Sequence, residues 1–186
     1  IGNDAIKMHG LMVGAARKSG GIVFPPLLTG IPGMADFQPP HRFNGNVPYE
    51  EPLIRALLLA TLNGLERVGF RAAILSTGHT CGEQRQLVRD VVADYGGSMR
   101  VVGTEDASFA NAMGHFSDHA AKWETSILWY LRPELVDIHQ LAHDTTVPNA
   151  GVYGDDPRLH ASRELGRQVV AAIATEMAEL GRSLLA

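Results

Sequence analysis

The chain has 186 residues, of which 45% are hydrophobic and 19% are charged, so it is long enough for one globular domain with a full core. A net charge of −4 without a cluster of Lys and Arg argues against a nucleic-acid-binding surface. No apolar run approaches the ~20 residues needed to span a bilayer. The single cysteine, Cys81, excludes an internal disulfide framework and favours a reducing, cytoplasmic compartment.

The first predicted elements are a helix over residues 4–18 and a strand within "GIVFPPLL". Asp4 is a candidate N-cap of the helix, and a glycine pair follows its last residues. The apolar run after the glycines is broken by two prolines, a pattern typical of a strand that ends in a rigid loop. Residues 29–51 are rich in Gly, Pro and Asn. A loop of this length in a compact domain usually has a functional role or forms an oligomer contact.

Helices and short apolar strands then alternate along the chain. Apolar periodicity predicts four helices, over residues 52–70, 83–97, about 123–131 and 158–184, and two strands, over 71–79 and 99–106. This alternation indicates a single α/β domain over residues 1–186, a three-layer arrangement with a mostly parallel sheet flanked by helices. Because ligands bind outside the carboxyl ends of strands in such sheets, a site is expected just after the two predicted strands.

The segment "STGHTCGE" places polar side chains at the end of the first of these strands, just before a helix. His79 could ligate a metal or move protons there, and a histidine hydrogen-bonded within a strand–helix turn explains the pattern equally well. Thr80 and Cys81 follow it and are candidates to contact a substrate. Because helix N-termini lower thiol pKa values, Cys81 is also conceivable as a nucleophile, although a small buried cysteine in a tight turn is the commoner arrangement.

The segment "GHFSDHAAKWETS", residues 114–126, concentrates histidines and carboxylates before an apolar helix. On one continuous helix of ~3.6 residues per turn, His119 and Glu124 would diverge by roughly 140°. They converge only if His119 lies in the loop and Glu124 in the first helical turn, where a carboxylate also complements the helix dipole. Asp118 is the adjacent candidate N-cap. Trp123 is predicted to be a packing residue that could also form one wall of a substrate pocket.

Three separated segments together resemble the creatininase family of creatinine amidohydrolase-like metal hydrolases. The strand-end "TGH", residues 77–79, is similar to that family's "NGHGGN" segment. "DHAAKWETSILWYLRPELVD", residues 118–137, is similar to its "HAGxxETS…LRPELV", and "GVYGDDPRLHASRELGR", residues 151–167, to its "GV.GDP..A..EKG". The resemblance runs in order over nearly all of the chain, and the second segment is its most specific part.

The resemblance implies an α/β fold with up to two divalent metals at the strand ends. It further implies hydrolysis of a C–N amide bond in a cyclic amide, a formamide or a short peptide. Asp4, which N-capping alone would explain, becomes a metal ligand with His79, and His119 becomes the acid–base histidine. Glu124 would ligate the second metal or orient the attacking water, and Asp118 would border the substrate pocket. Such ligands suit Zn²⁺ first, and also Mn²⁺ or Fe²⁺.

Two departures set this sequence apart from the family pattern. The family's "E.HG.HLP" strand, which supplies one Glu and one His to the metal pair, is not among these 186 residues. Cys81 stands where creatininase has a ligand Glu two residues after the strand-end His. Two further hypotheses therefore stay open, a catalytically inactive scaffold or assembly subunit and a Cys81 thiol hydrolase. The resemblance and the 29–51 loop also suggest a homo-oligomer, with a hexamer as one form.

Overall fold

The computed structural model describes residues 2–28, 30–31, 48–149 and 151–186. Its helices and strands are, in chain order, α1 (Asn3–Ser19), α2 (Glu51–Arg67), β1 (Ala72–Thr77), α3 (Gly82–Asp94), β2 (Arg100–Glu105), α4 (Lys122–Leu131), α5 (Pro157–His160) and α6 (Arg163–Ser183). Short 3₁₀ turns follow β2 and α4. Within the described ranges, no helix combines the length and the apolar character needed to cross a membrane.

The two strands lie parallel, with Ala72 opposite Arg100 and Thr77 opposite Glu105. Helix α3 is the crossover between them, as a parallel pair requires. One apolar core joins α1, α4 and α6, and it includes Leu11, Ile127 and Ile173. The other joins α2 and α3 to the sheet, and it includes Ile54, Leu58, Leu87 and Val91. Helices α2 and α3 pack on the parallel sheet, and α1 and α6 also contact β1, which confirms the predicted α/β class.

The strand predicted within residues 21–28 is wrong. This described segment is not in a strand, and Ile22 and Leu28 are 78% and 71% exposed. The segment has the apolar composition of a strand. Pro25 and Pro26, however, lack the backbone N–H groups that donate hydrogen bonds to a neighbouring strand. Of the long loop predicted over 29–51, residues 29 and 32–47 lie outside the described part of the chain.

The single C-terminal helix predicted over 158–184 is also wrong, because the chain forms two helices, α5 and α6. The side chain of Asp156 accepts a hydrogen bond from the backbone N–H of Arg158 and caps α5. The chain is extended at Ser162, whose hydroxyl accepts from the backbone N–H of Leu165 and caps α6. This serine is a local start signal for a helix.

The close packing of α4 against α6 depends on Gly166. A Cβ there would overlap with the backbone carbonyl of Ser126, so we expect Gly166→Ala to lower the free energy of unfolding by about 1–3 kcal/mol through overpacking. Gly181→Ala is the matched control in the same helix. Its Cβ would meet only Ile74 at 3.8 Å, so helix propensity should raise stability by up to ~1 kcal/mol. Urea unfolding compares the variants, and equal stabilities would contradict this packing.

Candidate functional site

The first turn of α1 meets the carboxyl end of β1 at Gly78. A Cβ on Gly78 would overlap with the backbone carbonyl of Asp4, so a residue without a side chain is needed for this close approach. Asp4 was predicted to cap α1, and that prediction is wrong. Gly2, with a φ of 78°, is the N-cap, and the Asp4 side chain instead lies with its Oδ2 3.2 Å from Nδ1 of His79.

The side chains of Asp4 and His79 together could bind a divalent metal ion. Burial alone would raise the pKa of Asp4, but the hydrogen bond with His79 and the positive charge of Lys7 outweigh burial and lower it. Asp4 is therefore ionised at neutral pH and can offer a carboxylate oxygen to a metal ion. The adjacent imidazole can offer a ring nitrogen to the same ion. Both are common ligands of divalent transition metals. The structure thus brings together two of the residues predicted to be ligands.

His119 and Glu124 take up the arrangement that their convergence requires. His119 lies in the loop before α4, where its backbone forms an antiparallel bridge to Tyr153 with N···O distances of 3.0 and 2.9 Å. Glu124 lies in the first turn of α4. His119 and Glu124 line one open cleft of about 1490 Å³ together with Asp4 and His79. All four predicted metal-binding and catalytic side chains therefore line the same large cleft, which also extends along α2 and β1.

A buried lysine connects this site to two carboxylates. The Nζ of Lys7 lies 2.8 Å from Oε1 of Glu124 and 3.0 Å from Oδ2 of Asp106, and Lys7 is only 2% exposed. Burial by itself would lower the pKa of Lys7, but the attraction of Asp106, then of Glu124 and Asp4, raises it above the ordinary value. The sequence reasoning missed Lys7 and Asp106, although Asp106 directly follows β2, where strand-end residues were expected to matter.

Glu124 has both carboxylate oxygens engaged. Oε1 accepts from Lys7, and Oε2 accepts the backbone N–H of Ala120 at 2.9 Å. Within the described ranges, no group of three or more His, Cys, Asp or Glu side chains converges to hold a metal. The Asp4–His79 pair therefore fits part of the coordination of one divalent ion. The ammonium of Lys7 lies against Oε1 of Glu124, and ligation of a second ion by Glu124 stays a prediction.

Asp118 and Trp123 lie beside the site with structural partners. Asp118 was predicted to be the N-cap of α4, and that prediction is wrong, because the N-cap residue is Ala121. The Asp118 carboxylate nevertheless accepts first-turn backbone N–H groups, from Trp123 at 2.7 Å and Glu124 at 3.1 Å. Burial raises the pKa of Asp118, and these two hydrogen bonds only partly offset it. Trp123 is 3% exposed and packs edge-on against His115 at a ring distance of 5.3 Å. Contact of Asp118 and Trp123 with a substrate stays a prediction.

Thr80 and Cys81 connect β1 to α3. The hydroxyl of Thr80 hydrogen-bonds that of Ser117, and Cys81 is the N-cap residue of α3. Burial raises the pKa of the Cys81 thiol, and the nearby charge of Glu83 adds to this effect. A raised pKa disfavours the reactive thiolate, so the surroundings of Cys81 do not favour it as a nucleophile. The predicted contact of Thr80 and Cys81 with a substrate remains a prediction.

The sequence matches the family model Creatininase, described as creatinine amidohydrolase, over residues 1–181. No curated protein matches it. A creatininase variant in a Zn–Zn form has a similar structure, with a TM-score of 0.74 and 19% identity over 97% of this chain and 83% of that chain. Another creatininase gives a TM-score of 0.72 and 20% identity, over 94% and 80% of the two chains.

A Bacteroides fragilis protein described as a creatinine amidohydrolase gives a TM-score of 0.68 and 20% identity, over 96% of this chain and 78% of that chain. At these identities the structural likeness shows a shared fold. The match to the family model covers nearly the whole sequence, including the segments that carry Asp4, His79, His119 and Glu124. The chain belongs to the creatininase family.

Proposed function

We propose that this chain is an amidohydrolase that hydrolyses a C–N amide bond in a small molecule, with water activated by a divalent metal. The observation that carries the proposal is the common cleft of the Asp4–His79 pair, His119 and Glu124. Family membership supports hydrolysis of C–N bonds, because the family model is described as creatinine amidohydrolase. One similar structure is a creatininase variant in complex with creatine. The proposed substrate class is therefore a cyclic amide, a formamide or a short peptide.

The proposed cofactor is Zn²⁺ or Mn²⁺, and the ligand chemistry also suits Fe²⁺. Among the similar creatininase structures, one is a Zn–Zn form and another a manganese form. In this chain, Asp4 and His79 would supply two of the ion's ligands. A divalent ion supplies a Lewis acid for the carbonyl and lowers the pKa of water towards ~7.

The protein's own residues would supply orientation and a proton. His119 would give a proton to the leaving nitrogen, a transfer that needs an imidazole within hydrogen-bonding reach of that atom. Glu124 would orient the attacking water. Its two hydrogen bonds leave acceptor capacity unused, because a carboxylate has about four lone-pair sites. Lys7 and the N–H of Ala120 would keep this carboxylate fixed relative to the cleft.

A second candidate is a scaffold or assembly subunit that has lost catalysis. The observation in its favour is that the described residues contain no three-ligand group for a metal. In this alternative the Asp4–His79 contact, at 3.2 Å, is a structural pair that joins α1 to the end of β1. Metal binding and turnover decide between the two candidates, because the scaffold requires neither.

Metal removal is expected to abolish turnover and lower the melting temperature. A ligand at ~100 times its Kd contributes ~2.7 kcal/mol, and each kcal/mol shifts the melting temperature of a protein of this size by ~2–4 °C, so we expect a fall of about 5–10 °C. The measurements are hydrolysis of a panel of cyclic amides, formamides and short peptides with Zn²⁺, Mn²⁺ or chelator, and calorimetry. Absence of turnover with an unchanged melting temperature in chelator would support the scaffold.

A further inference from the structure

We propose that the ammonium of Lys7 takes the place of a second metal ion, so that this site holds one divalent ion per chain. The inference rests on the proposed metal-dependent function and deepens it. It distinguishes this chain from the similar creatininase variant whose structure is a Zn–Zn form. Lys7 lies three residues after Asp4 in α1, so its side chain projects from the same side of the helix.

The contacts of Lys7 are those of a bound cation. Its Nζ bridges carboxylates from two separate elements, Asp106 after β2 at 3.0 Å and Glu124 in α4 at 2.8 Å. The side chains of Lys7, Asp106 and Glu124 are only 3%, 4% and 12% exposed. Two buried carboxylates at the end of a sheet would attract a cation from solution. In this chain the cation is the ammonium of Lys7, a side chain of α1.

Charge opposes a second ion between Asp106 and Glu124. The two carboxylates contribute two negative charges, and the ammonium of Lys7 balances one of them. A divalent ion added to this buried cluster would leave it with one net positive charge, and like charges repel strongly away from bulk water.

The hydrogen bonding of Glu124 also opposes the binding of a second metal ion. A second metal ion at Oε1 would have to displace the ammonium of Lys7, which is buried and ion-paired only with Asp106 and Glu124 among the described residues. A buried ammonium that loses a partner carries a large desolvation cost. Lys7 therefore acts as a positioning residue that holds Glu124 towards the cleft and keeps a second ion out.

The test counts metal ions. Protein loaded with excess ZnCl₂ or MnCl₂ and then desalted should carry one ion per chain by elemental analysis and native mass spectrometry. Lys7→Met removes the charge but keeps a side chain of similar length, so the carboxylates of Asp106 and Glu124 should take up a second ion. Lys18→Met, at an exposed position in the last turn of the same helix, is the matched control and should keep one ion.

The possible metal counts distinguish failure of the proposed function from failure of the proposed role of Lys7. Two ions per wild-type chain would overturn this inference and leave the proposed function intact, whereas no bound ion would overturn the proposed function itself. One ion in both wild-type protein and folded Lys7→Met would show that Lys7 does not set the number of ions. If Lys7→Met folds only when Mn²⁺ is present, the inference is supported, because the added ion then replaces the missing ammonium. If it does not fold at all, the wild-type count decides.

Discussion

Lys7→Met is expected to lower the free energy of unfolding of the metal-free protein by about 3–5 kcal/mol. Removing one partner of a buried ion pair leaves an uncompensated charge in the interior, and here the carboxylates of Asp106 and Glu124 both lose their counter-ion. The oxygen Oδ1 of Asp106 already lacks a hydrogen-bond partner among the described residues, so this carboxylate has little to compensate it. Urea unfolding in chelator measures the loss.

The controls separate charge from packing. Lys18→Met should stay within about 0.5 kcal/mol of wild type, as surface substitutions do. Adding Asp106→Asn and Glu124→Gln to Lys7→Met should recover part of the lost stability, because a neutral group costs less to bury than an unpaired charge. A loss below about 1 kcal/mol for Lys7→Met would instead be the size expected of an exposed ion pair and would contradict the buried arrangement.

The pH dependence of this contribution follows from the raised pKa of Lys7. A group whose pKa is higher in the folded state stabilises the protein fully below its unfolded pKa, which for lysine is ~10.4. That stabilisation is lost only as the pH rises through the higher folded value. The difference between wild type and Lys7→Met should therefore persist through neutral and mildly alkaline pH.

The secondary structure around the site could be predicted because its signals are local. Apolar periodicity placed α1, β1, α3 and β2 within a few residues of their observed bounds. The prediction failed at residues 21–28, where strand-like composition is not matched by a hydrogen-bonding partner strand in the described structure. Whether an apolar run pairs depends on distant parts of the chain, and periodicity within a short window does not contain that information.

The site itself was partly predictable. The need for His119 to lie in the loop and Glu124 in the first helical turn follows from helix geometry alone, and the structure has this arrangement. Lys7 was not predicted to matter, because a single lysine in an amphipathic helix usually lies on its solvated face. Its partners lie 99 and 117 residues further along the chain, so the ion pairs of Lys7 with Asp106 and Glu124 exist only in the folded molecule.

His119→Asn is expected to lower kcat for an alkyl amide by about 10²–10⁴-fold, the usual contribution of general acid–base catalysis. Asparagine removes the imidazole but keeps a polar side chain of moderate size. The bridge between His119 and Tyr153 uses backbone groups, so the loop should keep its path. Metal content should stay at the wild-type value, since Asp4 and His79 are unchanged. Steady-state kinetics and elemental analysis of the same preparation measure both quantities.

His143→Asn is the matched control, because His143 is exposed and does not line the cleft. The kcat of His143→Asn should equal that of wild type.

A second comparison, between two substrates, isolates the proton transfer. An anilide with an electron-poor ring expels a nitrogen that needs little protonation, so His119→Asn should slow its hydrolysis less than tenfold, against about 10²–10⁴ for the alkyl amide. Equal losses for the two substrates would show that His119 does not protonate the leaving nitrogen, and its contribution would then lie in binding or orientation.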